Sequence, residues 1–360
     1  MSKPLLYLTA DEIGTPTGGG VVTENELAAL RQLGEVQVMS RENLSPADDP
    51  WGWDSEAYAN LFLTGRTEFP KLCHIYSGTW PTVVGELKRR GCKVSVTIAA
   101  HDRFVSRREH ESLGLQFPYP HLTDETLWQR YIKGYAEADL IICPSTVAAD
   151  TVRGYGGVFE SKPIKVIPHG CHIPHGDIKP PPRMFTVGYL GSYGADKGVR
   201  YLLEAWKKLA YRDAMLMLGG RDSTSDWVKH LIHQYGGGNI WCRGWMNNVS
   251  DFYNDCSLYV QPSASEGFGI EVLEAMAHGR PVLCSNAAGA VDVFGTAVYV
   301  ASIGYRFRAC SVDDLVSAID RAKRLWKWTE WHTWGWREQA EGYTWDKIHR
   351  LYQQVWKELL

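Results

Sequence analysis

The sequence predicts an α/β protein built from two doubly wound parallel sheets in tandem. Short apolar runs alternate with helix-period segments almost from end to end, the pattern of parallel strands covered by helices on both faces. The rhythm pauses at 180-PPP-182 and then restarts, and three prolines fit neither sheet nor helix but favour an extended spacer. A chain of 360 residues is also too long for one ordinary core and suits two domains of roughly 150 to 200 residues. Residues 1–180 and 183–344 are the expected domains.

In the first domain the expected strands are 4-PLLYLT-9, 35-EVQVMS-40, 72-LCHIYS-77, 93-KVSVTIAA-100, 139-DLIICPS-145 and 164-IKVIPH-169. In the second they are 184-MFTVGYLG-191, 214-AMLMLGG-220, 239-NIWCRG-244, 257-SLYVQPS-263, 281-PVLCSN-286 and 297-AVYVA-301, spaced by helical patterns such as 198-GVRYLLEAWKKL-209. No motif recurs at the spacing of roughly 20 to 50 residues that marks a solenoid. The segment 41-RENLSPADDPWGWDSEAYANLF-62 interrupts the first domain as either a functional cover or an irregular surface excursion.

Composition narrows the function. A formal charge of −3 and a pI near 6.5 lack the basic excess that holds a nucleic-acid backbone, so a polyanionic ligand would need a local site. The eight cysteines are scattered without a CxxC pair and read as buried thiols of a reducing cytosol. The N-terminal apolar run is too short for a signal peptide, and no segment approaches the roughly 18 apolar residues of a membrane span. A cytoplasmic protein is expected.

Ligands of open parallel sheets bind beyond the carboxyl ends of the strands. There Gly18, Gly19 and Gly20 precede a helix after the first strand, where glycine serves either turn geometry or close approach of an anion to backbone amides. His101 and Asp102 end the fourth strand, so His101 either caps that strand or reaches into a site. In 188-GYLGSYGADKGVRYLLEAW-206, Lys197 stands at a helix N-terminus, which the helix dipole disfavours and a bound anion would explain. Arg221, ending 218-LGGR-221, comes to the same edge, and the two cations could neutralise a diphosphate.

The most informative stretch is 265-SEGFGIEVLEAMAHGRPV-282. A strand leads into Glu266 and a glycine turn, and a helix from about Ile270 to Ala277 buries Ile270, Val272, Leu273, Met276 and Ala277 while Glu271, Glu274 and His278 share its polar side. An acidic first turn complementing the helix dipole accounts for Glu271. It accounts poorly for Glu266 and for the paired glycines. A nucleoside diphosphate sugar laid across the turn uses them all: phosphates over the helix N-terminus, ribose hydroxyls on Glu274, sugar beside Glu266.

These residues resemble the EX7E motif of retaining glycosyltransferases of GT-B architecture, in particular glycosyltransferase family 4. The blocks 266-EGFGIEVLEAMAHGRPVL-283, 188-GYLGSYGADKG-198, 164-IKVIPHG-170, 18-GGG-20 and 101-HD-102 match in order and spacing, so the resemblance covers about residues 4 to 345. It implies two Rossmann-like domains facing across a cleft, acceptor-binding and donor-binding respectively, with residues 345–360 packing back onto the first. It further implies that Glu274 holds the ribose, Glu266 touches the transferred sugar, the amides of Gly267, Phe268, Gly269 and Ile270 contact sugar and phosphate, Lys197 neutralises the leaving diphosphate, and His101 orients the donor sugar. The base would lie near Arg243, Gly244, Trp245 and Met246. Ser192 stands where family members commonly carry an arginine, a place Arg221 could fill, and His169-Gly170 replaces the usual Asn-Gly.

The implied reaction is retaining transfer from a UDP- or GDP-linked sugar, a substrate and not a cofactor, to a hydroxyl acceptor. No metal is called for: the sequence has no Asp-x-Asp, the metal-binding signature of the other major glycosyltransferase architecture. A sugar-nucleotide epimerase and a phosphorylase are alternatives on the same fold, the first disfavoured by the EX7E turn and the second by the lack of a candidate lysine for pyridoxal phosphate. A catalytically silent sugar-nucleotide-binding subunit is kept in view by Ser192. The run 169-HGCHIPHG-176 invites a zinc reading, but its spacing fits no regular four-ligand pattern. Seven of the fifteen tryptophans fall in residues 324–356. They suggest either peripheral contact with the inner face of a membrane, or sugar stacking, or packing of the C-terminal helix; acidic residues interrupting the basic face favour packing.

Overall fold

A computed structural model describes residues 4–9, 11–40, 63–64, 68–76, 80–98, 103–115, 125–294, 306–326 and 335–360. The chain divides into two compact units, one of Met1–Ala100, Pro118–His169 and Trp345–Leu360, the other of His101–Phe117 and Gly170–Thr344. The passage between them at His169–Gly170 comes ahead of the triple proline, and the excursion His101–Phe117 groups with the second unit.

In the first unit, strands β1 (Leu5–Thr9), β2 (Val36–Met39), β3 (Leu72–Tyr76), β4 (Lys93–Thr97), β5 (Leu140–Cys143) and β6 (Ile164–Val166) form one parallel sheet in the order β2-β1-β3-β4-β5-β6. Every residue of β1, β3 and β5 is buried, as expected of strands covered on both faces. The covering helices include α1 (Gly18–Arg31), α2 (Pro81–Arg89), α4 (Glu125–Glu137) and α5 (Thr146–Arg153). Their N-termini follow local chemistry. Thr17 and Ser145 accept hydrogen bonds from the amides of Gly20 and Ala148, and Pro81 opens α2 where its missing N–H costs nothing. Helix α3 (Arg103–Ser112) lies in the second unit.

The C-terminal helix, α12 (Trp345–Leu359), buries Trp345, Ile348, Tyr352 and Trp356 along one stripe and packs on α1. Beneath it lies a polar network closed to solvent. Glu26, 1% exposed, accepts from the hydroxyls of Tyr7 and Tyr352, each at 2.9 Å, and pairs with His74 Nε2 at 3.1 Å. His74 Nδ1 meets Ser95 Oγ at 2.8 Å, and Ser95 in turn accepts from Trp356 Nε1 at 3.1 Å. With the imidazole proton assigned to Nε2, every group has a partner.

In the second unit, β7 (Phe185–Leu190), β8 (Ala214–Gly219), β9 (Ile240–Gly244), β10 (Leu258–Gln261), β11 (Val282–Ser285) and β12 (Arg306–Phe307) form a parallel sheet in the order β12-β11-β10-β7-β8-β9. Eleven of the twelve expected strands are present; the twelfth, residues 297–301, lies outside the described residues, and the two-residue β12 takes the edge. The helices are α6 (Val199–Leu209), α7 (Asp226–Tyr235), α8 (Val249–Asn254), α9 (Ile270–Ala277), α10 (Val312–Trp326) and α11 (Trp336–Ala340). Helix α3 docks on α6: buried Glu109 accepts from Tyr201 Oη at 2.6 Å and Arg200 Nη2 at 3.3 Å, and Arg200 Nη1 donates to Ser112 at 3.0 Å. The strand-poor segment before β7 is tied down by arginines, Arg280 Nη2 donating to Lys179 O at 2.6 Å and Arg337 to Gly176 O and Pro174 O at 2.7 and 2.5 Å.

Candidate active site

The strand order of the second sheet reverses direction between β7 and β10, and the carboxyl ends of such a pair open a crevice to which the following loops contribute. After β7 the chain makes a 3-10 turn over Ala195–Lys197 and enters α6 through Gly198 in the left-handed conformation, φ 70°. A Cβ at Gly198 would lie 2.0 Å from the carbonyl oxygen of Pro262, so glycine is what lets the two loops touch backbone to backbone. The amide of Ala264 then donates to Asp196 O at 2.8 Å. After β10, Glu266 is fixed by backbone bonds to Ala287 O and from Gly289 N. Gly269, φ 96°, turns the chain into α9 without a side-chain cap, leaving its first amides without that partner.

The structure brings Lys197, Glu266, Glu271 and Glu274 to these loops. Lys197 Nζ meets Glu266 Oε2 at 2.6 Å, with side chains 20% and 12% exposed. Burial alone would push the Lys197 ammonium down, but the Glu266 and Asp196 carboxylates more than reverse that and hold its pKa above the ordinary lysine value. The lysine therefore has a carboxylate partner of its own, which explains its unfavourable place at a helix start without a bound anion. Glu271, in the first turn of α9, is pushed up to about 7 by burial and by the neighbouring carboxylates of Glu266 and Glu274. Burial also raises Glu274, one turn later, opposed by the hydroxyl of Tyr253, which donates to Oε2 at 2.6 Å. The expected burial of α9 is corrected at two positions: Ile270 is partly exposed and Ala275 is buried.

Gly267, Phe268 and Gly269 are buried in the turn. Ser192 is exposed, its carbonyl accepting from Tyr189 Oη at 2.5 Å. Arg221 reaches the carboxyl edge, but its guanidinium lies 5.2 Å over the ring of Trp245, itself 48% exposed. Arg243 sits at a register shift between β8 and β9 and binds Asp255 at 2.5 Å, lining a cavity of about 420 Å³ with Lys179, Pro182 and Asp251. Gly244 donates to Ser223 Oγ at 2.9 Å, and Met246 is partly buried. In the first unit, Gly20 has a purely local reason to be glycine, since a Cβ would collide with Thr15 at 2.2 Å, whereas a Cβ on Gly18 would meet nothing within 4 Å and one on Gly19 would approach Asp11 at 3.2 Å. His101 lies outside the described residues.

Sequence reasoning missed Tyr253. Its aromatic ring in 251-DFYND-255 looks like core filler, and only the fold reveals that its hydroxyl ends on a carboxylate 21 residues away. Among the described residues no group of three His, Cys, Asp or Glu side chains is placed to hold a metal ion, and the Cys171 thiol points to Ala340 O at 3.8 Å.

Residues 176–330 match the family described as Glycosyl transferases group 1. Among curated proteins, the chain is 28% identical over 174 residues to an uncharacterized glycosyltransferase of Methanocaldococcus jannaschii, covering 47% of this chain and 44% of that one. It is 31% identical over 166 residues to the O-antigen chain mannosyltransferase B of Escherichia coli, covering 44% and 42%. The match thus spans less than half the length of either relative. Among solved structures, sucrose-phosphate synthase from Thermosynechococcus elongatus superposes with TM-score 0.77 at 18% identity over 99% of each chain. Anabaena HepE in complex with UDP and glucose gives 0.70 at 17% over 99% and 100%. The two six-stranded parallel sheets with flanking helices are those of the GT-B glycosyltransferase fold.

Proposed function

We propose that the chain is a retaining glycosyltransferase moving a sugar from a UDP- or GDP-linked donor to a hydroxyl acceptor without a metal ion. The observation that carries this reading is the Lys197–Glu266 pair at 2.6 Å beside an uncapped helix start, with Glu274 one turn further along α9. The glycosyltransferase match over residues 176–330 supports the same class. The diphosphate lies over the amides at the start of α9, where backbone donors and the helix dipole favour negative charge. Glu274 accepts from the ribose hydroxyls. Lys197 exchanges its carboxylate for the phosphate oxygens, which frees Glu266 for the hydroxyls of the transferred sugar, and His101 orients that sugar.

In the reaction the bond from the anomeric carbon to the diphosphate oxygen breaks, and the acceptor oxygen bonds to the same carbon on the same face. The acceptor proton passes to the departing phosphate oxygen, so no separate base is required. Fixed cations and amides stabilise the charge on that oxygen without reorganisation. The test is donor hydrolysis and transfer, with a panel of nucleotide sugars, by wild type and Glu266→Ala, with and without EDTA. Breakage of the anomeric bond by wild type, its loss in the variant and indifference to EDTA are expected. A protein that binds nucleotide sugar but never breaks that bond is the silent binding subunit, and activity lost in EDTA and restored by metal contradicts the metal-free mechanism.

A further inference from the structure

Tyr253 is buried to 0% exposure on α8, the helix that follows the Trp245 loop, and its hydroxyl donates to Glu274 Oε2 at 2.6 Å. Its ring is held on two other sides, 5.0 Å from the His278 ring and 5.9 Å edge-on to Tyr259. The backbone of Glu274 is engaged as well, its carbonyl accepting from His278 Nδ1 at 2.7 Å. Among the described residues no hydrogen bond or ion pair engages the second carboxylate oxygen, Oε1. One oxygen is thus immobilised by a rigid aromatic donor and the other is left with both acceptor positions open.

That asymmetry has a chemical use. A glutamate has three rotatable bonds, and holding it in one rotamer spares a ligand the entropy of fixing it. A short hydrogen bond to an ionised group is also among the stronger kinds available. We infer that Tyr253 is a positioning residue that orients Glu274 toward vicinal ribose hydroxyls, making the site selective for ribonucleotides over deoxyribonucleotides; this rests on the donor-site reading of Glu274 given above. Discrimination is expected to be steep because a buried carboxylate built to accept a hydroxyl loses that partner in the deoxy compound.

The experiment is calorimetric titration of the full chain with UDP, GDP and their 2′-deoxy counterparts, in wild type, Tyr253→Phe, Glu274→Ala and the double variant. Phenylalanine keeps the ring packing, and circular dichroism of each variant confirms folding. Wild type should prefer the ribonucleotide, and Tyr253→Phe should lose on the order of ten-fold in ribonucleotide affinity while its affinity for the 2′-deoxyribonucleotide, which keeps only the 3′-hydroxyl contact, falls distinctly less. On the Glu274→Ala background the same substitution should do nothing further. Equal weakening of ribo and deoxy ligands, an unchanged ratio in Tyr253→Phe, or additive losses in the double variant would overturn the assignment while leaving the donor site standing. Wild type binding none of the four nucleotides overturns the donor-site reading and this one with it.

Discussion

Glu271 occupies the first turn of α9 between two other carboxylates, and its proton is held to about pH 7 by burial and by Glu266 and Glu274. Its folded pKa lies above the ordinary glutamate value, so the stability it contributes is fully present in acid and lost as pH rises through about 7. A donor diphosphate arriving at the same helix start adds negative charge and favours the protonated form further. Affinity for a UDP- or GDP-sugar should therefore weaken as pH rises through this range, and Glu271→Gln should flatten the profile; titrations at several pH values decide it. Lys197 and Glu274 divide the remaining labour. Lys197→Ala should lower kcat roughly 100-fold, the scale of losing one charge-stabilising donor, with KM little changed. Glu274→Ala should mainly raise KM, roughly ten-fold or more. Steady-state kinetics separate the two, and small equal effects would contradict the roles drawn. At this scale the sequence showed which residues stand together, because the spacing of Glu266, Gly269 and Glu274 is local. It could not show that Lys197 already has Glu266 for a partner, since that contact joins residues 69 positions apart.

Among the elements, α12 closes the buried polar network of the first unit, through Tyr352 to Glu26 and Trp356 to Ser95. Trp356 is fully buried and supplies both ring packing and the hydrogen bond to Ser95, so Trp356→Ala should destabilise by about 3–5 kcal/mol. Tyr352→Phe removes a donor to a buried carboxylate and should cost about 1–3 kcal/mol; urea unfolding measures both. Burial alone would raise the Glu26 carboxyl, yet the His74 imidazole and hydrogen bonds from His74, Thr97 and Tyr352 hold it below its ordinary value. The stability it contributes is present above the unfolded carboxyl pKa and lost as pH falls through the folded one, so Glu26→Gln should weaken the protein most near neutrality and least in acid. The strands were legible because each is a compact apolar run, and α9 because its period was clear. β12 was not, being two residues, Arg306 and Phe307, with no apolar run to mark them. Nor was the Glu26–His74 network: His74 in 72-LCHIY-76 and Glu26 in 23-TENELAAL-30 were polar residues at core positions, a signal that went unread.

For the whole molecule, the sequence conveyed that there are two sheets but not where one unit gives way to the other. Composition put that point at the triple proline, because proline excludes regular structure. Contacts put it at His169–Gly170, because the residues from Gly170 onward are bonded into the second unit, as when the Cys171 amide donates to Tyr343 O at 2.9 Å. Helix α3 likewise groups by its Glu109 hydrogen bonds to α6, which no local pattern announces. The arginine bonds to the carbonyls of Pro174, Gly176 and Lys179 bear on how the protein survives digestion. A protease must draw several residues of backbone into its own groove, and carbonyls already engaged resist being peeled away. Brief subtilisin treatment of the native protein should leave residues 174–180 intact, and Arg280→Ala with Arg337→Ala should turn that same stretch into the first place the chain is cut.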